Sequence, residues 1–274
     1  MRLATVYLNA GTVAARIDGA QAILLEEYGD VGELLARGGL ASAASAKGPA
    51  VELSEIRFAP VVTRPSKIVC VGLNYRAHIL EMKRDLPEHP VLFAKFADSL
   101  LAADDPIPLP PESDAADWEG ELGVIIGSTV RRADAQTAGA AIAGYTIAND
   151  VSFRDWQFRT REWLQGKAWD ASLPLGPVMA TPDEIPDEAY LTTHVNDVEK
   201  QRGDIHDLVH SPGALVQYIS TITTLRPGDV IVTGTPGGVG HARTPREYLA
   251  HGDIVSITID GIGTLRNKVV EEAS

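Results

Sequence analysis

The apolar segments of this chain are short, and glycine or proline separates nearly all of them. After residue 65, runs of four to six residues have the length typical of β-strands rather than helices. These runs cover residues 68–73, 122–126, 145–148, 191–195, 230–233, 254–259 and 265–270. No regular alternation of strand and helix patterns accompanies them, which argues against a doubly wound parallel sheet. We predict an α+β fold that is rich in β-strands.

The first 60 residues have a pattern of their own. Strands predicted at residues 3–7 and 13–17 flank Asn9-Ala10-Gly11, a sequence typical of a hairpin turn. A short helix is predicted from Asp30 to Arg37, where Gly38-Gly39 ends it. Pro60 and Pro65 then mark a boundary in the chain. We therefore predict a small N-terminal α+β domain over residues 1–62 and a larger domain over residues 63–274.

Helical periodicity is scarce in the larger part of the chain. Ser211 suits the cap of a helix and Pro212 suits its first turn. Apolar residues then recur at helical spacing at positions 214, 215, 218, 219 and 222. Residues 154–165 are a second candidate helix.

Charge and composition exclude several classes of function. The 24 basic and 37 acidic residues give a formal net charge of -13. Nucleic acids and anionic membranes are bound by clustered Lys and Arg, so neither is expected as a partner. The first residues lack a signal-peptide pattern, and no apolar run has the length of a membrane span. The single cysteine, Cys70, lies in an apolar run and is interpreted as a core residue. These features predict a cytoplasmic protein.

Three acidic residues are candidates for a metal site. Glu119 and Glu121 are two residues apart, so on a strand their side chains would project from the same face. Asp150 directly follows another apolar stretch. If the three carboxylates converge, they repel one another unless a cation neutralises them, and oxygen ligands favour Mg²⁺, Mn²⁺ or Ca²⁺ over zinc. From the residues alone, a solvated strand end remains an equal alternative.

Other motifs are weaker on spacing alone. His78 and Glu81 would be neighbours on one helical face, where the carboxylate could orient the histidine as a general base. An ordinary exposed pair is the simpler interpretation, and a solvated side chain is the simpler interpretation of Lys167. The glycine-rich residues 233–240 match neither a Walker loop nor GxGxxG and are interpreted as a tight turn.

Several segments, taken together and in order, resemble the fumarylacetoacetate hydrolase superfamily. The segments that carry this resemblance are residues 67–75 with His78 and Glu81, 92–95, 117–122, 149–155, 166–167 and 227–240. The resemblance covers residues 65–270 and implies a catalytic domain with a mixed β-roll, in a protein that is usually homodimeric. The chain departs from the family pattern at two places. Phe96 stands where the family commonly has proline, and a later segment contains His206 and His210 where members are often apolar.

The resemblance also implies roles for individual residues. It assigns Glu119, Glu121 and Asp150 as ligands of Mg²⁺, with Mn²⁺ or Ca²⁺ as alternatives. It assigns His78, Glu81 and Lys167 as catalytic residues, the first two as a mobile dyad over the site. Substrate contacts are implied for Arg154, Gln157, Gly234 and Thr235.

The activity implied is that of a metal-dependent hydrolase. It would cleave a carbon–carbon bond in an acylpyruvate-like 2,4-dioxo acid, such as fumarylpyruvate or maleylpyruvate, through a pyruvate enolate, as in the catabolism of aromatic compounds. The alternatives are an oxaloacetate-type decarboxylase, a hydratase or an isomerase that uses the same enolate. A non-enzymatic protein with a structural ion is a third interpretation. The expected partner is a small anionic 2-oxo acid, and the expected assembly is a homodimer.

Overall fold

Strands dominate the architecture. The computed structural model describes residues 1–9, 11–81 and 85–272, without the side chains of His78 and Glu81. The strands are β1 (Arg2–Leu8), β2 (Gly11–Asp18), β3 (Gln21–Leu25), β4 (Ala50–Glu52), β5 (Ile68–Gly72), β6 (Val91–Lys95), β7 (Leu100–Leu101), β8 (Ile107–Leu109), β9 (Ala116–Asp117), β10 (Gly120–Ile126), β11 (Ile142–Asn149), β12 (Ser152–Phe153), β13 (Leu173–Ala180), β14 (Tyr190–Val195), β15 (Val198–Asp204), β16 (Val230–Val232), β17 (Ile254–Ile259) and β18 (Gly263–Glu271). The predicted strand-rich α+β class is confirmed.

The helices are short. They are α1 (Val31–Ala36), α2 (Leu40–Ala43), α3 (Arg76–Glu81), α4 (Ala135–Ala140), α5 (Arg154–Gln157), α6 (Leu164–Lys167) and α7 (Pro212–Ile222). The predicted start of α7 is confirmed, because Ser211 caps it and Pro212 is its first residue. The helix predicted from Asp30 to Arg37 is also confirmed, as α1, and the Asp30 side chain accepts a hydrogen bond from Glu33 N at 2.6 Å. Among the described residues, no helix combines the length and the hydropathy that crossing a membrane requires.

The prediction of one helix over residues 154–165 is wrong. Helix α5 ends at Gln157, and α6 begins only at Leu164. The chain turns back between them, so that Gly166 packs against α5. A Cβ atom at Gly166 would lie 2.4 Å from Gln157 N, which only glycine avoids. This close approach brings both helices to the same side of the molecule.

One large mixed sheet organises the chain. Within the described residues it has 11 strands, in the order β4-β3-β2-β1-β13-β11-β10-β16-β5-β6, with β7 also paired to β13. Strands β10 and β11 are antiparallel neighbours near its centre, with Gly120 opposite Asn149. Strand β16 pairs with β10 on one side and, in parallel, with β5 on the other. The ends of these four strands therefore lie close together.

A second sheet covers one face of the first. Its order is β15-β14-β17-β18-β8, and apolar residues from both sheets form a shared core that includes Leu122, Ile147, Leu191 and Ile257. Helices α4 and α7 cover part of the large sheet through another cluster, in which Leu215 and Ile219 pack with β10 and β16. Burial of these apolar surfaces is the main contribution to the stability of such a layered fold.

The N-terminal strands belong to the same large sheet. The predicted hairpin is confirmed as β1 and β2, and β1 pairs antiparallel with β13, with Arg2 opposite Ala180 and Leu3 opposite Met179. The sheet thus crosses the predicted boundary between residues 62 and 63. The division into two domains stays a prediction.

Candidate metal centre and active-site pocket

Antiparallel pairing of β10 and β11 brings the three acidic candidates together. Glu121 is the second residue of β10, and Asp150 directly follows β11. Glu119 precedes β10 by one residue, so the expectation that both glutamates lie within a strand is wrong in this detail. A backbone hydrogen bond of 2.9 Å from Asp150 N to Glu119 O joins the two segments. The register of one strand pair therefore determines the geometry of the cluster.

The three carboxylates form a compact and buried group. One oxygen from each lies within 4.8 Å of the others. Glu119 is 8% exposed, Glu121 2% and Asp150 0%, which excludes the interpretation of a solvated strand end. Burying like charges this closely is costly, since each loses its hydration and repels the others.

Three buried cations adjoin this group, and two of them, Lys167 and Arg154, make the shortest contacts. Lys167 Nζ lies 2.5 Å from Glu119 Oε2 and 2.6 Å from Asp150 Oδ2, and also 5.0 Å from the centroid of the Phe93 ring. Arg154 Nη2 lies 2.7 Å from Glu119 Oε1. Lys167 is only 2% exposed, so the interpretation of a solvated lysine is wrong. The short helices α5 and α6 place both cations beside the carboxylates.

The environment separates the pKa values of two neighbouring glutamates. Burial alone would raise the pKa of Glu119, but Lys167 and then Arg154 outweigh it and lower that pKa to about 2. Burial raises the pKa of Glu121 well above its usual range, and the charges of Asp150 and Glu119 raise it further. Burial opposes the charged form of Lys167, but Asp150 and Glu119 raise its pKa overall. Among the described residues, Glu121 is thus the one carboxylate of the three without an ion pair, and the more distant charge of Lys167 only partly offsets the rise in its pKa.

The donor set fits a hard divalent cation. The carboxyl groups of Asp117, Glu119, Glu121 and Asp150 adjoin only three cationic side chains among the described residues, which are Lys95, Arg154 and Lys167. The buried Oδ1 atom of Asp150 accepts no hydrogen bond from the described residues, although it forms an ion pair with Lys95 Nζ at 3.2 Å. An all-oxygen set with an excess of negative charge suits Mg²⁺, Mn²⁺ or Ca²⁺. The residues could therefore hold such an ion.

A pocket of about 400 Å³ opens beside the cluster. This volume is in the range of sites for small organic ligands. Its walls are formed by Val71, Gly72, Leu73, Phe93, Glu119, Glu121, Arg154, Gln157, Phe158, Trp163, Lys167, Thr235, Val239, His241 and Ala242. Charged groups and aromatic rings therefore line the same cavity, as a site for a small anion with an organic tail requires.

The remaining predicted residues occupy different places. Gln157 and Thr235 line the pocket, and Gln157 Oε1 accepts a hydrogen bond from Arg154 Nη1 at 2.9 Å. Gly234, at a φ of 102°, is turned so that its N–H donates to Glu121 Oε2 at 2.5 Å. His78 and Glu81 belong to α3, but their side chains lie outside the described part of the structure. Their catalytic role stays a prediction.

Two buried charges beside the site had no predicted role. Asp117 Oδ2 accepts from Arg154 Nε at 2.9 Å and from His241 N at 2.9 Å, so it joins Arg154 to a loop of the pocket. Lys95 donates to Ser172 Oγ at 2.7 Å beside Asp150. The sequence signal for a role of either residue was a charged residue placed next to apolar residues. Their partners are distant in sequence and could not be read from spacing.

The fold is rich in strands, and its buried carboxylates lie beside a pocket of the size that small molecules occupy. Proteins of this class could hold a divalent cation next to an organic anion. Residues 67–270 match the family profile described as Fumarylacetoacetate (FAA) hydrolase C-terminal. The chain belongs to this family of enzymes, and the predicted resemblance is confirmed.

Relatives in the family carry out different reactions. The chain is 42% identical over 232 residues to the mitochondrial oxaloacetate tautomerase FAHD2A of Homo sapiens. The matched stretch covers 83% of this chain and 74% of that protein. It is 40% identical over 238 residues to the 2,4-didehydro-3-deoxy-L-rhamnonate hydrolase of Sphingomonas sp. (strain SKA58), covering 83% of each. The structure of maleylpyruvate hydrolase from Sphingobium sp. SYK-6, with manganese(II) ion and pyruvate, has a TM-score of 0.81, 26% identity and full coverage of both chains.

Proposed function

We propose that this protein is a divalent-metal-dependent hydrolase that cleaves a carbon–carbon bond in an acylpyruvate-like 2,4-dioxo acid. The observation that carries the proposal is that the carboxylates Glu119 and Glu121 and the ammonium group of Lys167 line one pocket. A cation held by these glutamates and Asp150 would supply Lewis-acid stabilisation of an enolate, the leaving group of this cleavage. The related hydrolases, one of them crystallised with manganese(II) and pyruvate, support this substrate class.

The residues of the chain would bind the substrate and stabilise its charge. Lys167 is held rigidly by Glu119 and Asp150, so its ammonium group is preorganised to neutralise negative charge on the oxygens of the substrate. The apolar wall that includes Phe93, Phe158 and Trp163 would exclude water and receive the acyl group. Preorganised charge in a dry pocket is worth more than the same charge in water, because it costs no reorganisation during the reaction.

The proposed general base is His78, oriented by Glu81. Helix α3 begins at Arg76, soon after Gly72 and Leu73, which line the pocket. A histidine on this helix would be near the mouth of the cavity, where it could take a proton from the water that attacks the C4 carbonyl. The i, i+3 spacing of His78 and Glu81 on a helix supports their pairing.

A second candidate function is keto–enol tautomerisation or decarboxylation of oxaloacetate, or isomerisation of a related unsaturated acid. The 42% identity to an oxaloacetate tautomerase supports it. These reactions use the same enolate stabilisation but no attacking water. The pocket lined by Glu119, Glu121 and Lys167 would serve either chemistry.

Identification of the products separates the two candidates. The purified protein is incubated with Mg²⁺ or Mn²⁺ and, in turn, with an acylpyruvate and with oxaloacetate. Hydrolysis yields pyruvate and a carboxylic acid in equal amounts. Loss of the enol absorbance of oxaloacetate without new products, faster than with the ion alone, identifies a tautomerase, and release of carbon dioxide faster than with the ion alone identifies a decarboxylase. No acylpyruvate cleavage with either ion would exclude the first candidate.

Substitution of His78 by alanine is expected to lower kcat about 10²–10⁴-fold, since general-base catalysis contributes about that much. Affinity for Mg²⁺, measured by calorimetry, is expected to stay within threefold because His78 is not among the proposed ligands. His206→Ala is the matched control, as this histidine is exposed and outside the pocket. Activity of His78→Ala equal to that of the control would remove the dyad from the mechanism.

We also propose that the protein acts as a cytoplasmic homodimer in the catabolism of aromatic compounds. Homodimers are usual in the family that the sequence resembles, and the single cysteine, Cys70, is buried, which suits a reducing compartment. Sedimentation velocity of the full chain at micromolar concentration measures the assembly. A single species at the mass of one chain, 29.3 kDa, would contradict the dimer.

A further inference from the structure

Gln201 is a buried amide that joins the second sheet to the pocket. It lies on β15, the edge strand of that sheet, and is 1% exposed. Its Nε2 donates to Thr235 Oγ1 at 2.8 Å and to Pro236 O at 3.0 Å. Its Oε1 accepts from Gly120 N at 3.0 Å, between the two glutamates of the carboxylate cluster. One side chain thus contacts both segments that contribute to the site.

The backbone partners of Gln201 leave its amide only one orientation. The N–H of Gly120 can only donate, and the carbonyl of Pro236 can only accept. A flipped amide would place NH₂ against the N–H and oxygen against the carbonyl, which is repulsive on both sides. The usual ambiguity between amide nitrogen and oxygen is therefore absent here. An N–H group of Gln201 must face the hydroxyl of Thr235.

This orientation limits what the hydroxyl group of Thr235 can do. One of its lone pairs is occupied by the N–H of Gln201, so its own proton must be donated in another direction. In this structure Thr235 Oγ1 donates to Gly120 O at 2.9 Å. Thr235 also lines the pocket, and a hydroxyl group rotates readily about its C–O bond. The proton can therefore be redirected to an acceptor that enters the cavity.

We propose that Gln201 is a positioning residue that makes the Thr235 hydroxyl a hydrogen-bond donor to the carboxylate of the substrate. The inference rests on the proposed function, because it requires a 2-oxo acid whose carboxylate meets Thr235. Gln201 would act only through Thr235, without touching the substrate. A donor hydroxyl stabilises a bound carboxylate, whereas the same oxygen turned as an acceptor would repel it.

Gln201 makes one of several contacts between β15 and the segment that follows β16, which includes Thr235 and Pro236. Arg243 Nη2 donates to Lys200 O at 2.8 Å, and the backbone of Gly203 packs closely on Pro236. These contacts do not involve the amide, so they would hold the loop when the amide is replaced. A purely structural role of Gln201 therefore predicts loss of stability alone, whereas the positioning role predicts weaker binding of carboxylates.

The test compares Gln201→Met, Gln201→Glu, Thr235→Val and the double variant Gln201→Met/Thr235→Val, with Gln217→Met on the exposed face of α7 as the control. KM and kcat are measured with the acylpyruvate or oxaloacetate that the natural protein turns over. Binding of oxalate in the presence of Mg²⁺ is measured by calorimetry, and Tm by thermal unfolding. Oxalate carries carboxylates but is not turned over, so its binding reports on Thr235 separately from catalysis.

Gln201→Met is expected to raise KM and the Kd of oxalate about tenfold, as loss of an oriented hydrogen bond to a charged group does, with kcat within threefold. Gln201→Glu is expected to raise both more, because its carboxylate would accept the Thr235 proton and turn the lone pairs of the hydroxyl toward the ligand. In the Thr235→Val background, Gln201→Met is expected to add less than twofold.

Additive effects of the two substitutions, or a lower Tm with unchanged oxalate binding, would overturn the positioning role. If the natural protein turns over neither substrate but binds oxalate with the expected dependence on Gln201, the proposed reaction fails and the inference stands. An equal rise in KM for the Gln217→Met control would also contradict the inference, since that residue is remote from Thr235.

Discussion

Replacement of Glu121 by glutamine is expected to lower turnover strongly and yet make the metal-free protein more stable. Glu121 is buried beside Glu119 and Asp150, and its pKa is raised well above the usual range of a carboxyl group. The folded state therefore penalises its ionised form, and this penalty applies above the pKa of the unfolded chain. Glutamine is neutral and of the same shape, and its oxygen can still accept from Gly234 N, which now donates to Glu121 Oε2.

The free energy of unfolding of metal-free Glu121→Gln is expected to rise by about 1–3 kcal/mol at neutral pH. Its affinity for Mg²⁺ is expected to fall by at least about 100-fold, as a carboxylate ligand is lost, and kcat/KM by about 10²–10³-fold. Urea unfolding and calorimetry measure these changes. Glu33→Gln, at an exposed residue paired with Arg37 at 3.3 Å, is the control and should change stability by less than about 1 kcal/mol. A less stable Glu121→Gln protein would contradict the electrostatic account.

The raised pKa of Glu121 also predicts the pH dependence of metal binding. A bound cation requires the ionised carboxylate, so Mg²⁺ must displace a proton wherever Glu121 is protonated in the free protein. Apparent affinity is expected to rise with pH from the usual carboxyl range upward, with release of a proton. Glu119, with a pKa lowered to about 2, does not contribute to this slope. The slope should become flatter in Glu121→Gln.

Substitution of Lys167 by methionine is expected to have the opposite effect on stability. Lys167 is the buried cation between Glu119 and Asp150, at 2.5 and 2.6 Å. Its removal leaves both carboxylates without this partner, which costs about 3–5 kcal/mol when a buried ion pair is broken. It also removes the cation proposed to neutralise charge on the substrate, and kcat/KM should fall about 10²–10³-fold.

Divalent cations should restore much of the stability that Lys167→Met loses. A cation bound to the same carboxylates compensates their charge, so saturating Mg²⁺ should raise Tm by more in the variant than in the natural protein. Lys67→Met is the matched control, because Lys67 Nζ pairs with the buried Asp229 at 3.1 Å, away from the pocket. Mg²⁺ should not rescue that variant. An equal Mg²⁺-induced shift in Tm for both variants would contradict the proposed metal centre.

Local elements were predictable where the signal is local. The cap at Ser211, the proline after it and the hairpin between β1 and β2 depend on residues close in sequence, and all were confirmed. The helix expected at 154–165 was wrong because its break depends on a tertiary contact. Periodicity indicates which segments are helical but not where a neighbouring segment forces the chain to turn.

Which residues form the candidate site could be predicted, but their burial and their contacts could not. The order of motifs pointed to Glu119, Glu121, Asp150 and Lys167, although spacing alone left solvated carboxylates and a solvated lysine as alternatives. Burial excludes those alternatives, and burial is a property of the assembled layers. Gln201 had no signal, because its partners are 34 and 81 residues away along the chain.

The sequence by itself determined the strand-rich class, the local turns and caps, and the identity of the acidic residues that converge. Only the tertiary structure decided which charges are paired. Lys167 and Arg154 form ion pairs with Glu119, whereas Glu121 forms none with the described residues, and its pKa is raised. The physical reason is that the interaction between charges depends on distance and desolvation, and both are determined by the packing of β10 against β11 and of α5 against α6.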